Sequence, residues 1–270
     1  MLARILGAAA PAGARGYTTF VAAVFGLVIG SFLNVVVYRV PRRLSVVRPG
    51  SFCPACGTPI RSSDNLPVIS WIVLRAKCRQ CGERISARYP AVELATGALF
   101  GALAWVLGAH WAVPGMCVFG ATSLALAVIE LDGLRPPAAV SLVGTGVGAV
   151  LLGAAAVADR RWWHLGGMLI GIAAGAVALW AGTRVSRRQG AGIGLWSLIP
   201  YGAVLGWVGT VGAIVGAVTS AVGLVGLSVF LTMRTGREGA PRMVPVALAA
   251  ALGSLAAVIG AFAAGRMIGT

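Results

Sequence analysis

The first apolar run, about Thr18 to Val40, meets no charged side chain before Arg39. A stretch of about twenty such residues crosses a bilayer as a helix, because backbone polar groups in hydrocarbon must be satisfied within the segment itself. Similar runs recur along the chain, and this recurrence constrains the fold more than any other feature. Hydrophobic residues make up 58% of the 270, charged residues only 11%, and mean hydropathy is +0.89. Ordinary soluble domains are about one quarter charged, so the composition excludes that class and defines an all-α polytopic membrane protein.

The basic clusters between the runs set a topology. Arg39, Arg42 and Arg43 follow the first run and act as a stop-transfer signal, which puts its C-terminal end inside the cell and the N-terminus outside. A cleaved signal peptide would have a shorter apolar core. Further spans are expected at about Pro90 to Gly108, from the His110–Trp111 link to about Leu131, at Ala138 to Val157 and at His164 to Gly182. The run Ala191 to Met233 is too long for one span and divides near Thr210 to Ala213, and Met243 to Ala264 closes the chain. Eight helices result, with both termini outside. The implied domains are a short leader (1–17), the first helix (18–40), a cytoplasmic loop domain (41–89) and a seven-helix membrane domain (90–270). The net charge of +15 resides in these clusters, so it reads as topology and not as nucleic-acid binding.

The loop between the first two spans is a polar island, Arg39 to Pro90, holding Cys53, Cys56, Cys78 and Cys81. They form two Cys-x-x-Cys knuckles separated by twenty-one residues, each followed by glycine (Gly57, Gly82). This spacing reads as a zinc ribbon, with two redox or disulfide pairs as the competing reading. The island's ten basic residues against Asp64 and Glu83 mark a cytoplasmic loop, where thiols stay reduced, and this favours a metal. Four thiolates close the coordination sphere, so the ion would be structural. Cys117, alone in an apolar span, reads as a small buried hydrophobe; His110 and His164 have no partner motif; Gly97-x-x-x-Gly101 reads as helix packing.

The segment Gly30-Ser-Phe-Leu-Asn-Val-Val-Val-Tyr-Arg39, the Cys-Pro-x-Cys knuckle, Asp64-Asn-x-Pro-x-x-Ser-Trp71, Cys78-Arg-x-Cys81 and Arg88-Tyr-Pro-x-Val-Glu93 together resemble the N-terminal domain of the type IV prepilin peptidases. The resemblance is dense from about Gly30 to Leu99. It implies an inner-membrane enzyme that cuts the leader from pilin-like precursors at the cytoplasmic face and, in many members, methylates the new N-terminus with S-adenosylmethionine. No Gly-rich strand-to-helix signature marks where that donor would bind. The family cuts with two aspartates that share a proton, one acting as base toward water and the other as acid toward the peptide carbonyl.

This chain departs from the family pattern at those positions. Aligning Ile129-Glu-Leu-Asp-Gly-Leu-Arg-Pro-Pro137 with the first aspartate motif puts Glu130 at the catalytic place and Asp132 two residues on. Aligning Gly192-Ile-Gly194 with the second puts Leu195 at the catalytic place and Ser197 where lysine often stands. The other acids are Asp64 and Glu83 in the island, Asp159 on the outer side, Glu238 in a basic loop, and Glu93 entering the second span. Only Glu93 stands at a depth to substitute. Glu130 also reads as an interfacial residue able to pair with Arg135, and Asp132 before Gly133 as a turn residue. The resemblance thus implies a family member whose protease half is impaired, with a non-catalytic scaffold or pilin-binding protein of a pilus or type II secretion system as the alternative.

Overall fold

The computed structural model describes residues 12–189 and the single position Val204. Spans six to eight and residues Gly192, Gly194, Leu195, Ser197 and Glu238 lie outside the described residues. The elements are α1 (Ala12–Arg39), α2 (Ile69–Val73), α3 (Arg88–Leu107), α4 (Val113–Leu131), α5 (Ala138–Ala158) and α6 (Trp163–Gln189), with 3-10 turns at Val40–Arg42 and Ser62–Asn65. Among the described residues there is no strand, only two isolated bridges, and four helices are long and apolar enough to cross a membrane. The long helices fall where the apolar runs placed the first five spans. α1 starts at Ala12, six residues ahead of its apolar run, so part of the supposed leader is helical.

Glycines set the helix spacing. A Cβ on Gly26 would lie 2.7 Å from the Thr96 carbonyl oxygen, and one on Gly30 would lie 2.7 Å from the Glu93 Cα. In return, a Cβ on Gly97 would lie 2.8 Å from Leu27 Cδ2, and one on Gly101 3.3 Å from the Ala23 Cβ. Two small-xxx-small stripes therefore mesh, and α1 and α3 approach backbone to backbone, as small residues permit in membranes. α4 packs on α5 in the same manner, with Gly115 against Leu152, Gly148 against the Phe119 ring and Gly144 against the Thr122 side chain.

α4 supplies the centre of the core, where Phe119, Leu126 and Ile129 are fully buried. Outward side chains are apolar too: Phe25, Val28, Phe32, Val143 and Val150 are each more than half exposed. An apolar exterior around a small-residue interior is what lipid as solvent requires. Two ion pairs define opposite ends of the bundle. Arg88, the first residue of α3, holds Asp132 after α4 at 2.8 Å, whereas His110, before α4, holds Asp159 after α5 at 3.3 Å. The cysteine island shares its end with Arg88 and Asp132.

Candidate metal centre and the acids around it

The knuckles share one backbone design in the same register. Cys53 N–H donates to the Thr58 carbonyl at 3.0 Å and Gly57 N–H to the Cys53 carbonyl at 2.8 Å. In the second, Cys78 N–H donates to the Glu83 carbonyl at 2.7 Å and Gly82 N–H to the Cys78 carbonyl at 3.0 Å. Ile60 N–H to the Ser51 carbonyl and Ile85 N–H to the Ala76 carbonyl close each hairpin at 2.8 and 2.7 Å. Gly57 (φ 69°) and Gly82 (φ 73°) occupy the left-handed region that the turn demands.

The two hairpins face each other so that all four Sγ atoms lie within 4.8 Å of one another, with Cys53 and Cys81 Sγ 3.8 Å apart. Tetrahedral zinc with bonds of about 2.3 Å separates its sulfurs by about 3.8 Å, so the donor set fits a structural ion held by four cysteines. All four are free thiols. The Thr58 hydroxyl and amide pull the Cys56 thiol down to about 6, and the Cys81 and Gln80 amides lower Cys78. At Cys81 the Glu83 amide pulls down, but burial and the three neighbouring sulfurs prevail and raise it to about 12. A divalent cation would offset the crowding of negative sulfur that raises Cys81.

One further anchor holds the island to the bundle and two contacts brace the island internally. The Arg39 guanidinium, 9% exposed, donates to the carbonyls of Ser45, Pro49 and Gly50 at 2.9, 2.7 and 3.2 Å. What reads in sequence as a stop-transfer charge is thus also the clamp on the loop's entry. Arg79, inside the second knuckle, grips Asp64 through two bonds of 2.9 and 2.7 Å, and its guanidinium holds that carboxyl below the usual range. Trp71 Nε1–H donates to the Ile85 carbonyl at 3.0 Å, beside a cleft of about 420 Å³ carrying Arg75, Lys77 and Arg84.

The buried Glu93 on α3 makes the remaining link. Its Oε2 accepts the Val68 N–H at 2.7 Å. Val68 has φ 60° and ψ −47°, and Ile69 N–H donates to the Pro67 carbonyl at 2.6 Å, which is a γ-turn in its rare, strained form. A β-branched residue persists there because its surroundings over-determine it, and the carboxylate is part of that restraint.

The other expected acids are distributed as follows. Glu130 lies at the C-terminal end of α4 and is 3% exposed. Asp132 terminates α4 ahead of Gly133 (φ 72°) and is ion-paired with Arg88. Glu130, Asp132 and Glu93 therefore belong to the island end of the bundle, and Asp159 to the other. Cys117 is buried in α4. No local sequence pattern announces the links through Arg39, Val68 and Arg88.

A helical membrane protein with a four-cysteine module clamped onto its first two spans is the class these elements define. Residues 24–107 match the family model of the bacterial peptidase A24 N-terminal domain. A prepilin leader peptidase/N-methyltransferase of Neisseria gonorrhoeae is 40% identical over 135 residues, covering 41% of this chain and 47% of that protein. One of Myxococcus xanthus is 44% identical over 139 residues, covering 50% and 42% respectively. A type 4 prepilin-like proteins leader peptide-processing enzyme of Escherichia coli is 40% identical over 131 residues, covering 41% and 48%. The chain spans about half the length of the curated relatives it matches. No solved structure matches it.

Proposed function

We propose that this chain is an inner-membrane protein that engages pilin-like precursors through its four-cysteine loop, with the leader-cleaving step impaired. Its island faces the cytoplasm and both termini lie outside, with a structural zinc ion on Cys53, Cys56, Cys78 and Cys81. The matched segment, with its paired knuckles and their anchors, supports a retained loop module. The observation that carries the impairment is the occupation of the acids at the island end: Asp132 is held by Arg88, and Glu93 by the Val68 amide. Alignment with the family's first motif makes Glu130 the candidate first acid, while the aligned second position carries Leu195, so no shared proton is available to a pair. The relatives' printed activities, peptidase and N-methyltransferase, imply S-adenosylmethionine as methyl donor, without a site assigned to it here.

Co-expression with a pilin-like precursor tests this reading. The leader is expected to stay attached; a cleaved product that disappears in the Glu130→Gln variant would refute it. The second reading, a scaffold or pilin-binding protein of a pilus or type II secretion system, draws on the same Leu195 and predicts an uncut precursor that co-purifies with the chain and acquires no methyl group.

A further inference from the structure

We propose that α2 is a membrane-interface anchor, whose outward face beds into the headgroup and acyl boundary of the leaflet that α1 and α3 enter. α2 is amphipathic in the inverted sense. Ile69, Ile72 and Val73 are 58%, 61% and 68% exposed, and Leu66, just ahead of the turn that starts α2, is 51% exposed. The polar side chain points inward: Ser70 is buried, donating to the Ser63 carbonyl at 3.1 Å and accepting Leu66 N–H at 3.0 Å. An element that buries its hydroxyl and exposes its aliphatics is built for apolar surroundings.

The depth of α2 identifies those surroundings. Val68, the residue that starts it, is held by Glu93, five residues into α3, which is about 7.5 Å along the axis at 1.5 Å per residue. The Glu93 side chain leans back toward the helix start, so the γ-turn stands level with the first two turns of α3. There Tyr89 and Leu94 also face outward, 47% and 53% exposed. Gly30 of α1 packs on the Glu93 Cα, and α1 runs on past it through Val35, Val36 and Val37 before reaching the charge at Arg39. The apolar face of α2 therefore continues the lipid-facing belt. The exposed Arg61, Arg75 and Lys77 lie around it, placed to meet lipid phosphates, as the polar border of an interfacial helix does.

The test uses the full chain with the photoreactive residue benzoylphenylalanine at Ile72 or at Val73, reconstituted in vesicles of phosphatidylethanolamine and phosphatidylglycerol. After irradiation, intact mass should show lipid adducts at both positions, at least fivefold above the same label at exposed Gln80 in the second knuckle. Equal adduct yield at Ile72, Val73 and Gln80, or cross-links at α2 to protein without lipid, would overturn the assignment. Two labelled sites keep the result readable if one substitution disturbs the helix.

Discussion

Glu93 shows how a single side chain couples span to loop. Its carboxylate satisfies the Val68 amide inside a strained turn, so removing it takes the acceptor from a partly buried donor. Glu93→Ala should lower stability by about 1–3 kcal/mol, the loss of a hydrogen bond to a charged acceptor, while Glu93→Gln retains an acceptor and should lose less. Thermal unfolding in detergent reads both, and faster exchange of the Val68 amide locates the effect. His110 makes a pH prediction. Its ion pair with Asp159 suggests a charged ring, yet Nδ1 accepts the Ala112 N–H at 3.1 Å, which requires a bare nitrogen, so Nε2–H of the neutral ring donates to Asp159. Burial holds its pKa below the ordinary value, aided by Arg161 and His164 and opposed by Asp159. The folded state then binds fewer protons than the unfolded, so stability should fall as pH drops below about 6.5. Unfolding midpoints of the native chain between pH 8 and pH 5 should decline more than those of His110→Gln; parallel declines would contradict the assignment.

At the scale of elements, the spans are legible because hydropathy is a local property and most of the apolar runs end at a charge or a turn. The knuckles were legible for the same reason: Cys-x-x-Cys-Gly encodes its own turn, and both copies fold in one register. The connections between elements were not. Asn34 donates to the Tyr89 carbonyl across 55 residues, and Arg88 meets Asp132 across 44, pairings that no local pattern announces. α2 was concealed by its setting, since four aliphatics inside a basic island average out to a polar loop. The Gly26 and Gly30 stripe was likewise passed over, although its partner Gly97 and Gly101 was seen. Gly30→Ala should part α1 from α3 and lower stability by about 1–3 kcal/mol, because the neighbour it meets is backbone. Gly146→Ala on α5, where a Cβ meets nothing within 4 Å, should be neutral or slightly stabilising. Purified native protein should hold one zinc ion per chain by metal analysis, and Cys53→Ser or Cys78→Ser should hold far less. A disulfide between Cys53 and Cys56 in the purified protein would exclude the site.

For the whole molecule, the family's lineage and the chain's chemistry separate along the sequence. The module at the island end is intact in its ligands and its anchors, and this is the part shared with the relatives. The proposed impairment rests on an alignment with the family pattern, which puts Glu130 at the first acid position and Leu195 at the second. On that alignment the proposed loss is legible in sequence, because leucine offers no carboxylate whatever the packing around it. The remaining acids were harder to assess from sequence alone, since Asp132 and Glu93 are committed through long-range bonds to Arg88 and Val68. The most direct measurement is the intact N-terminal mass of a pilin-like precursor recovered from membranes that contain this chain as the sole family member. The account predicts the full leader on every molecule, identical with the native chain and with Glu130→Gln; a shortened product made by the native chain and lost in Glu130→Gln would contradict it.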